Sequence, residues 1–289
     1  MRKIESIFEY NVDLKNHCTM HVGGKAKIFC SPKNIKQLKA ILAYAKDNNI
    51  KYYILGYGSN TIFKDEGYDG IVVSLKQLKG VRKTKSGACA MSGTSLFALN
   101  LFLKNNSLAG LEWSYGIPGC VGGAVAMNAG AYGQEICCFI EKVECIIGSK
   151  LKRLDAKKLA FSYRQSEIKD KGYVVTRVWF GLGKGDSVEI EQKQKHFFAK
   201  RKATQPLEFY NSGSIFKKID GQSAGKIIDN LGLKSVKING AEISSLHANF
   251  IINKGSATAN DVLELIKLVQ QRVYQELGIT LECEVVIAN

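Results

Sequence analysis

Several patterns that would assign a chain to a familiar class are missing from these 289 residues. The 8 cysteines, at positions 18, 30, 89, 120, 137, 138, 145 and 283, include no Cys-x-x-Cys pair, so no zinc-like spacing exists. Adjacent Cys137 and Cys138 could not both enter one ordinary tetrahedral site without strain. The 4 histidines are scattered. His17 and His21 are four apart, but loop- or strand-like sequence surrounds them, and no metal is expected. No run of about 18 apolar residues occurs, which excludes a membrane-spanning helix. The opening MRKIESIFEYNVDLKNH lacks the apolar core of a signal peptide. Reduced thiols in a cytoplasm are the simplest account of the cysteines. Repeats, low-complexity segments and a basic tail are absent too.

What remains is an ordinary globular composition, 45% hydrophobic and 23% charged, with length for two or three domains. Lys+Arg 41 against Asp+Glu 26 leaves a net charge of +15. Such a surplus suits nucleic acid, an anionic membrane or phosphate-rich small molecules. The densest basic cluster, Lys193, Lys195, Lys200, Arg201 and Lys202, falls on a helical pattern and reads as a solvated helix face. A nucleic-acid binder would need aromatic stacking positions along a basic groove. Trp113, Trp179 and the tyrosines instead lie among apolar strands, so no nucleic-acid partner is expected.

Periodicity marks the elements. Pro32 opens a helical stretch carried by Ile35, Leu38, Ile41, Leu42 and Ala45. KYYIL at 51–55, IVVSL at 71–75 and ACAMSG at 88–93 read as strands. Thr94 is a candidate N-cap for a helix through Leu96, Leu99, Leu101 and Leu103. KVECII (142–147) and YVVTRVWFGL (173–182) read as strands, and 188–202 as a helix that Pro206 ends. Beyond it come the short helix SAGKIIDNLGL, the strand NFIIN, the long amphipathic helix DVLELIKLVQQRVYQEL, and a closing strand LECEVVIA. The mixture predicts an α+β protein with a break near residue 200.

Two glycine-rich stretches interrupt this texture. GIPGCVGGAVAMNAGAYG, residues 116–133, holds six glycines in eighteen positions and hardly a charge. A flexible linker would be Ser/Gly-rich, whereas Ile117, Val121, Val125 and Met127 make this segment buried. Glycine allows close approach to the backbone, and exposed amides in such turns form anion-binding nests. A phosphate cradle and a set of tight turns both remain open. GYGSNT at 56–61 directly follows a strand and poses the same question. It is neither a Walker loop nor the dinucleotide fingerprint.

Together, these loops resemble the pyrophosphate-binding segments of the FAD-binding domain of vanillyl-alcohol-oxidase-type flavoproteins. The order TMHVGG, LGYGSNTIFKDEGYDGIVV, GLEWSYGIPGCVGGAVAMNAGAYGQEI, FSYRQS, QPLEFYNSGSIFK, HANFIIN and LECEV narrows this. It is similar to the UDP-N-acetylenolpyruvoylglucosamine reductase (UDP-N-acetylmuramate dehydrogenase) family over nearly the whole chain. The resemblance implies a two-part FAD-binding region, 1–75 and 76–198, with the last strand a candidate to return to the first part. A C-terminal α+β substrate-binding domain would span 199–289. It also implies FAD, NADPH as reductant and a UDP-sugar substrate. No histidine lies in the glycine loops, so the FAD is expected to be non-covalent, and a monomer is expected, although the sequence leaves oligomeric state open.

Site residues carry over position by position. Arg164 of FSYR, Ser214 of GSIF and Glu284 of LECEV would be catalytic: Arg164 to hold negative charge, Ser214 to give a proton, Glu284 to orient the substrate. From the residues alone each has a bland reading, as a surface Arg, a turn Ser and an exposed strand Glu. In the first loop Gly56, Tyr57, Gly58, Ser59, Asn60 and Thr61 would bind FAD. In the second, Gly116, Ile117, Pro118, Gly119, Cys120, Gly122 and Gly123 would do so, with Asn128, Gly130 and Ala131 after them. Lys217, Lys218, His247 and Asn249 would contact substrate. The chain departs from the family at Lys218-Ile219, where Asn-Pro is common, at His21 for Arg, and at Val286 for a basic residue. The insert whose Tyr covers substrate in one family branch is absent. A flavin oxidase of another alcohol or sugar is the alternative enzyme reading, but it gives Arg164, Ser214 and Glu284 no purpose.

Overall fold

The computed structural model describes residues 2–288. Helices and strands alternate without a dominant class, and the chain is α+β. It divides into two compact units, the first of residues 2–9, 29–57 and 71–201, the second of 10–28, 58–70 and 202–288.

The first unit is built on a five-stranded sheet in the order Lys150–Asp155, Ile140–Ile147, Val174–Gly181, Gly87–Met91, Val81–Lys83, antiparallel throughout. Alternation along Val174–Gly181 sends Val178 and Phe180 inward, where they meet Ala88, Ala90 and Val143. The helix Leu96–Asn105 lays Leu96, Leu99 and Leu103 into the same core. Its N-cap is Ser95, whose side chain accepts from Ala98 N. Thr94 is not the cap, because its hydroxyl is held by Gly80 N and Gly80 O. A second motif pairs Tyr52–Leu55 in parallel with Tyr68–Ser74. The helix Ile35–Asp47 precedes it, capped by Asn34 and buried through Leu38, Ile41, Leu42 and Ala45.

In the second unit a four-stranded sheet runs Tyr210–Asn211, Ile251–Asn253, Ala241–Ile243, Lys237–Ile238. The long helix Ala259–Leu277 packs Val262, Leu265, Ile266, Val269 and Val273 into its core. That helix has a capping box of Thr258 and Asp261 and ends at Gly278 with φ 68°. The Asp65 carboxylate accepts from Ala259 N (2.9 Å) and Asn260 N (2.8 Å). LECEVVIA is not one strand. Only Val286–Ala288 is regular, and it pairs in parallel with Thr61–Phe63. Met20, Val22 and Ile62 share this unit's core, so early segments are stitched to the end of the chain by long-range pairing.

Candidate active site

Within the first unit the glycine segment is not a string of turns. Its middle is a six-residue helix, Val121–Ala126, and its glycines are not alike. Gly122 N donates to Ser92 O at 2.8 Å, and a Cβ on Gly122 would lie 2.8 Å from Ser92 Cβ. Gly116 has φ 80°, and a Cβ there would meet the Phe198 ring. These two serve the fold. Gly123 differs: it is exposed, and an added Cβ would meet nothing nearer than Cys120 Sγ at 3.7 Å. The chain itself does not demand a glycine at 123, whereas a ligand approaching the helix backbone would.

Cys120 joins the two glycine stretches. The amides of Gly123 and Tyr57 hydrogen-bond to its sulfur, and a Cβ on Gly56 would stand 2.6 Å from that atom. Burial pushes the Cys120 thiol up, against those amide bonds, so it is an unreactive spacer that fixes Gly56 and Tyr57 beside Gly122 and Gly123. Ile117 and Gly119 are half-buried in the same approach and Pro118 is exposed.

Arg164 lies on a hairpin, Phe161↔Ser166 and Ser162↔Gln165. Its φ of 58° is left-handed, which costs a non-glycine residue about 1–3 kcal/mol. Three hydrogen bonds tie this hairpin to the glycine segment. Ser166 Oγ donates to Ala126 O (2.6 Å), Asn128 Nδ2 to Ser162 O (2.9 Å), and Arg164 Nη2 to Gly130 O (3.0 Å). The guanidinium also lies over the Tyr163 ring, 4.9 Å from its centroid. Asn128 is 0% exposed. Its other N–H goes to Glu135 Oε2 (2.8 Å), and its oxygen accepts from Cys137 N (3.3 Å). The Asn128 side chain is thus fully engaged in holding the hairpin and its neighbours. Gly130 and Ala131 form a small ladder with Gln134 and Glu135.

In the second unit Ser214 and Glu284 flank one residue. Glu284 N donates to Ile215 O (2.7 Å), and Ile215 N donates to Asn249 O (2.9 Å). The Ser214 side chain follows Gly213 at φ 74° and is half-buried. Its hydroxyl makes no hydrogen bond among the described residues. Asn60 clamps the other member, its Nδ2 donating to Glu284 O (3.0 Å) while Val286 N donates to Asn60 O (3.0 Å). Gly58 has φ 67°, and a Cβ on it would collide with His17 O. Ser59 is half-buried and Thr61 is buried in the pairing with Val286.

The expected substrate contacts are placed unequally. Asn249 binds the backbone of Phe216 twice, accepting from its N and donating to its O (2.9 Å each). His247 Nδ1 accepts from Asn249 N (3.2 Å), and burial pushes the imidazole down. Lys217 pairs with Glu282 Oε1 (2.5 Å), and Lys218 is exposed. His21, where the family often has Arg, stacks on Tyr210 with centroids 3.9 Å apart.

A further reading of the sequence is overturned. The basic run on Ser187–Thr204 is not wholly a solvated face: Lys193, Lys195, Lys200 and Lys202 are exposed, but Arg201 is buried. With 3.6 residues per turn it shares the inward face of Ile190 and Gln194, which charge counting alone cannot register.

The sequence signature of an FAD binding domain matches residues 26–149, and that of the UDP-N-acetylenolpyruvoylglucosamine reductase C-terminal domain matches 205–288. The UDP-N-acetylenolpyruvoylglucosamine reductase of Clostridium novyi (strain NT) is 42% identical over 100% of this chain and 96% of its own. The chain belongs to the UDP-N-acetylenolpyruvoylglucosamine reductase family. The reductase of Listeria monocytogenes serovar 1/2a is 41% identical over 96% of this chain and 93% of its own. A crystal structure of the Thermus caldophilus reductase superposes with a TM-score of 0.82 at 36% identity, covering 98% of this chain and 99% of that one. As a member of this family the chain is an FAD-binding oxidoreductase. The open face of Gly123 beside Gly56 and Tyr57 fits a cofactor whose diphosphate must approach backbone. Among the described residues no helix is long and apolar enough to cross a membrane, and no His/Cys/Asp/Glu group suits a metal.

Proposed function

We propose that the chain reduces UDP-N-acetylglucosamine enolpyruvate to UDP-N-acetylmuramate in peptidoglycan precursor synthesis, with NADPH as reductant. The observation that carries the reading is the family match along the whole chain; Arg164, Ser214 and Glu284 are assigned by the resemblance of FSYR, GSIF and LECEV to the family's segments. FAD, held without a covalent bond, would accept hydride from NADPH and supply it to the terminal carbon of the substrate alkene.

The chain's residues then have separate tasks. Gly56, Tyr57 and the open backbone face of Gly123 would hold the diphosphate, with Gly122 fixed beneath them by Ser92. Once hydride reaches the alkene, charge develops on the adjacent carbon and spreads into the substrate carboxylate. Arg164 would hold that carboxylate, a task for a permanently charged planar donor. Its strained backbone and its bond to Gly130 O support a fixed position over a flexible one. Ser214 would donate its proton to the carbanionic carbon. A hydroxyl is a weak acid, but the acceptor is strongly basic and the donor is already placed. Glu284, anchored through its backbone by Asn60 and Ile215, would orient the carboxyl end of the substrate. Lys217, Lys218 and His247 would contact the UDP-sugar, with Asn249 holding the Ile215-Phe216 backbone that follows Ser214. The eight free thiols suit the cytoplasm, where we place the reaction, and we take the active form to be a monomer.

The test is an absorbance spectrum followed by NADPH oxidation with and without the enolpyruvyl substrate. A yellow protein whose reduced flavin is rapidly reoxidised by that substrate is expected. Fast reoxidation by oxygen and none by the substrate would favour an oxidase instead.

A further inference from the structure

On the inward face of the helix Ser187–Thr204 two polar residues sit seven apart, and they are treated differently. Gln194 is satisfied, donating to Asn100 O (3.1 Å) and Asn100 Oδ1 (3.3 Å). Arg201 is 8% exposed, and its Nε is sealed from solvent without a partner. Among the described residues no carboxylate pairs with this guanidinium, and none of its N–H groups makes a hydrogen bond. A buried charge with no counter-charge is among the costliest features a fold can retain. The partial negative charge of the helix C-terminus offsets some of it, but does not fill five N–H donors.

The surroundings supply no acid. Tyr132, from the GAYG end of the glycine segment, is the titratable side chain that acts on it, a neutral phenol whose hydroxyl donates to Phe197 O (3.2 Å). Its ring packs on Phe197, with centroids 4.9 Å apart, and Lys200 Nζ lies 6.0 Å from its centroid. Tyr132 itself is held at φ 55°, so the wall it forms is fixed by backbone as well as packing. Burial pushes the Arg201 guanidinium down from its ordinary value, yet no proximate group could take its proton. The unmet demand is for an oxyanion.

We propose that Arg201, walled by Tyr132, is the receiving point for a phosphate oxyanion carried by one of the nucleotide ligands. Which nucleotides are available rests on the function proposed above, whereas the anion site itself does not.

Thermal unfolding with inorganic pyrophosphate as probe, at constant ionic strength, tests the site on protein with and without its flavin. Pyrophosphate should raise the Tm of the wild-type protein in at least one of these states. Arg201→Met, of similar length without charge, should be no less stable than wild type without the probe, and should lose that rise. Three titrations then identify the source: FAD to the flavin-free protein, NADPH to the oxidised protein, and the UDP-sugar to the reduced protein. One affinity should fall about ten- to a hundredfold, the usual effect of losing a charge-assisted contact. If Arg201→Met keeps both the pyrophosphate rise and all three affinities, the inference is wrong. It is equally wrong if Arg201→Met loses stability without the probe while all three affinities stand, since Arg201 would then be structural. Should the Met variant fail to fold, Arg201→Lys must show a diminished pyrophosphate rise, and an unchanged one overturns the proposal. A pyrophosphate rise that depends on Arg201 in a protein without reductase activity would refute the function and leave the site standing.

Discussion

Replacing Asn128 with glycine separates two roles that this residue could have beside the flavin segment. Its φ of 42° is open to glycine at no steric cost, so the backbone of the segment should hold its shape. What disappears is the side chain, with bonds to Ser162 O, Glu135 Oε2 and Cys137 N. At about 0.5–1.5 kcal/mol each, loss of the three should cost about 1.5–4.5 kcal/mol of stability. The effect should be local, because Ser166 and Arg164 keep their own bonds to Ala126 O and Gly130 O. With one of three tethers gone, the Arg164 hairpin should sample misplaced positions, and misplacement by about 1 Å can slow a reaction roughly a hundredfold. Hydrogen exchange of residues 161–166 should quicken, while flavin content and flavin reduction by NADPH stay near wild type. Reoxidation by the enolpyruvyl substrate should slow about ten- to a hundredfold. Asn128→Asp, which keeps an acceptor for Cys137 N but has no donor for Ser162 O, should behave alike. If either variant instead loses flavin, or slows both half-reactions equally, Asn128 serves the cofactor and the hairpin argument fails.

Gly123→Val should abolish FAD binding with little loss of fold, since the side chain enters open space; a yellow Val variant would show that the helix backbone is not approached. In the wild type, acid precipitation should release all yellow colour to the supernatant. Lys217→Ala should raise the substrate KM about ten- to a hundredfold with normal flavin content. Glu282→Gln should not, because that carboxylate is 70% exposed and contributes little to the pair; equal effects would mean Lys217 serves only Glu282. The Lys254 hydrogen bond holds the buried Glu242 carboxyl below its usual range, with Lys237 assisting. Its folded value is depressed, so the stabilisation is present above about pH 4.3 and fades as pH falls through the folded value. Lys254→Met should therefore lower Tm at pH 7 and match wild type near pH 2–3. A deficit that persists at low pH would assign the loss to packing.

Local signals carried the sequence reading where one element decided the outcome. The apolar spacing of Ile35, Leu38, Ile41 and Leu42 is the helix Ile35–Asp47, and the pattern of DVLELIKLVQQRVYQEL is Ala259–Leu277. The glycine loops stood out by composition, and motif order along the chain pointed to the family. Tertiary commitments were not legible from local patterns, and only the family resemblance offered the last strand as a candidate to return to the first part. Thr94 is a good cap residue by type, but Gly80 takes its hydroxyl. Residues 10–28 and 58–70 join the C-terminal unit through pairings such as Val286↔Thr61, which no local pattern announces. Asn128 reads as a cofactor contact from its motif, while its side chain is spent on Ser162, Glu135 and Cys137. Arg201 hides in a basic run because only helix phase separates it from the exposed lysines beside it.

The central claim is that Ser214 gives the proton that completes reduction of the enolpyruvyl substrate, after a flavin reduction in which it takes no part. Its hydroxyl is half-buried and uncommitted, so Ser214→Ala should leave fold, flavin content and Tm essentially unchanged. Stopped-flow absorbance at the flavin band resolves the two half-reactions. Bleaching of Ser214→Ala by NADPH should proceed at close to the wild-type rate. Reoxidation by the enolpyruvyl substrate should slow by about 10²–10⁴-fold, the usual worth of a positioned general acid, with Ser214→Cys between the two. Equal slowing of both half-reactions in Ser214→Ala, or reoxidation at the wild-type rate, would contradict the account.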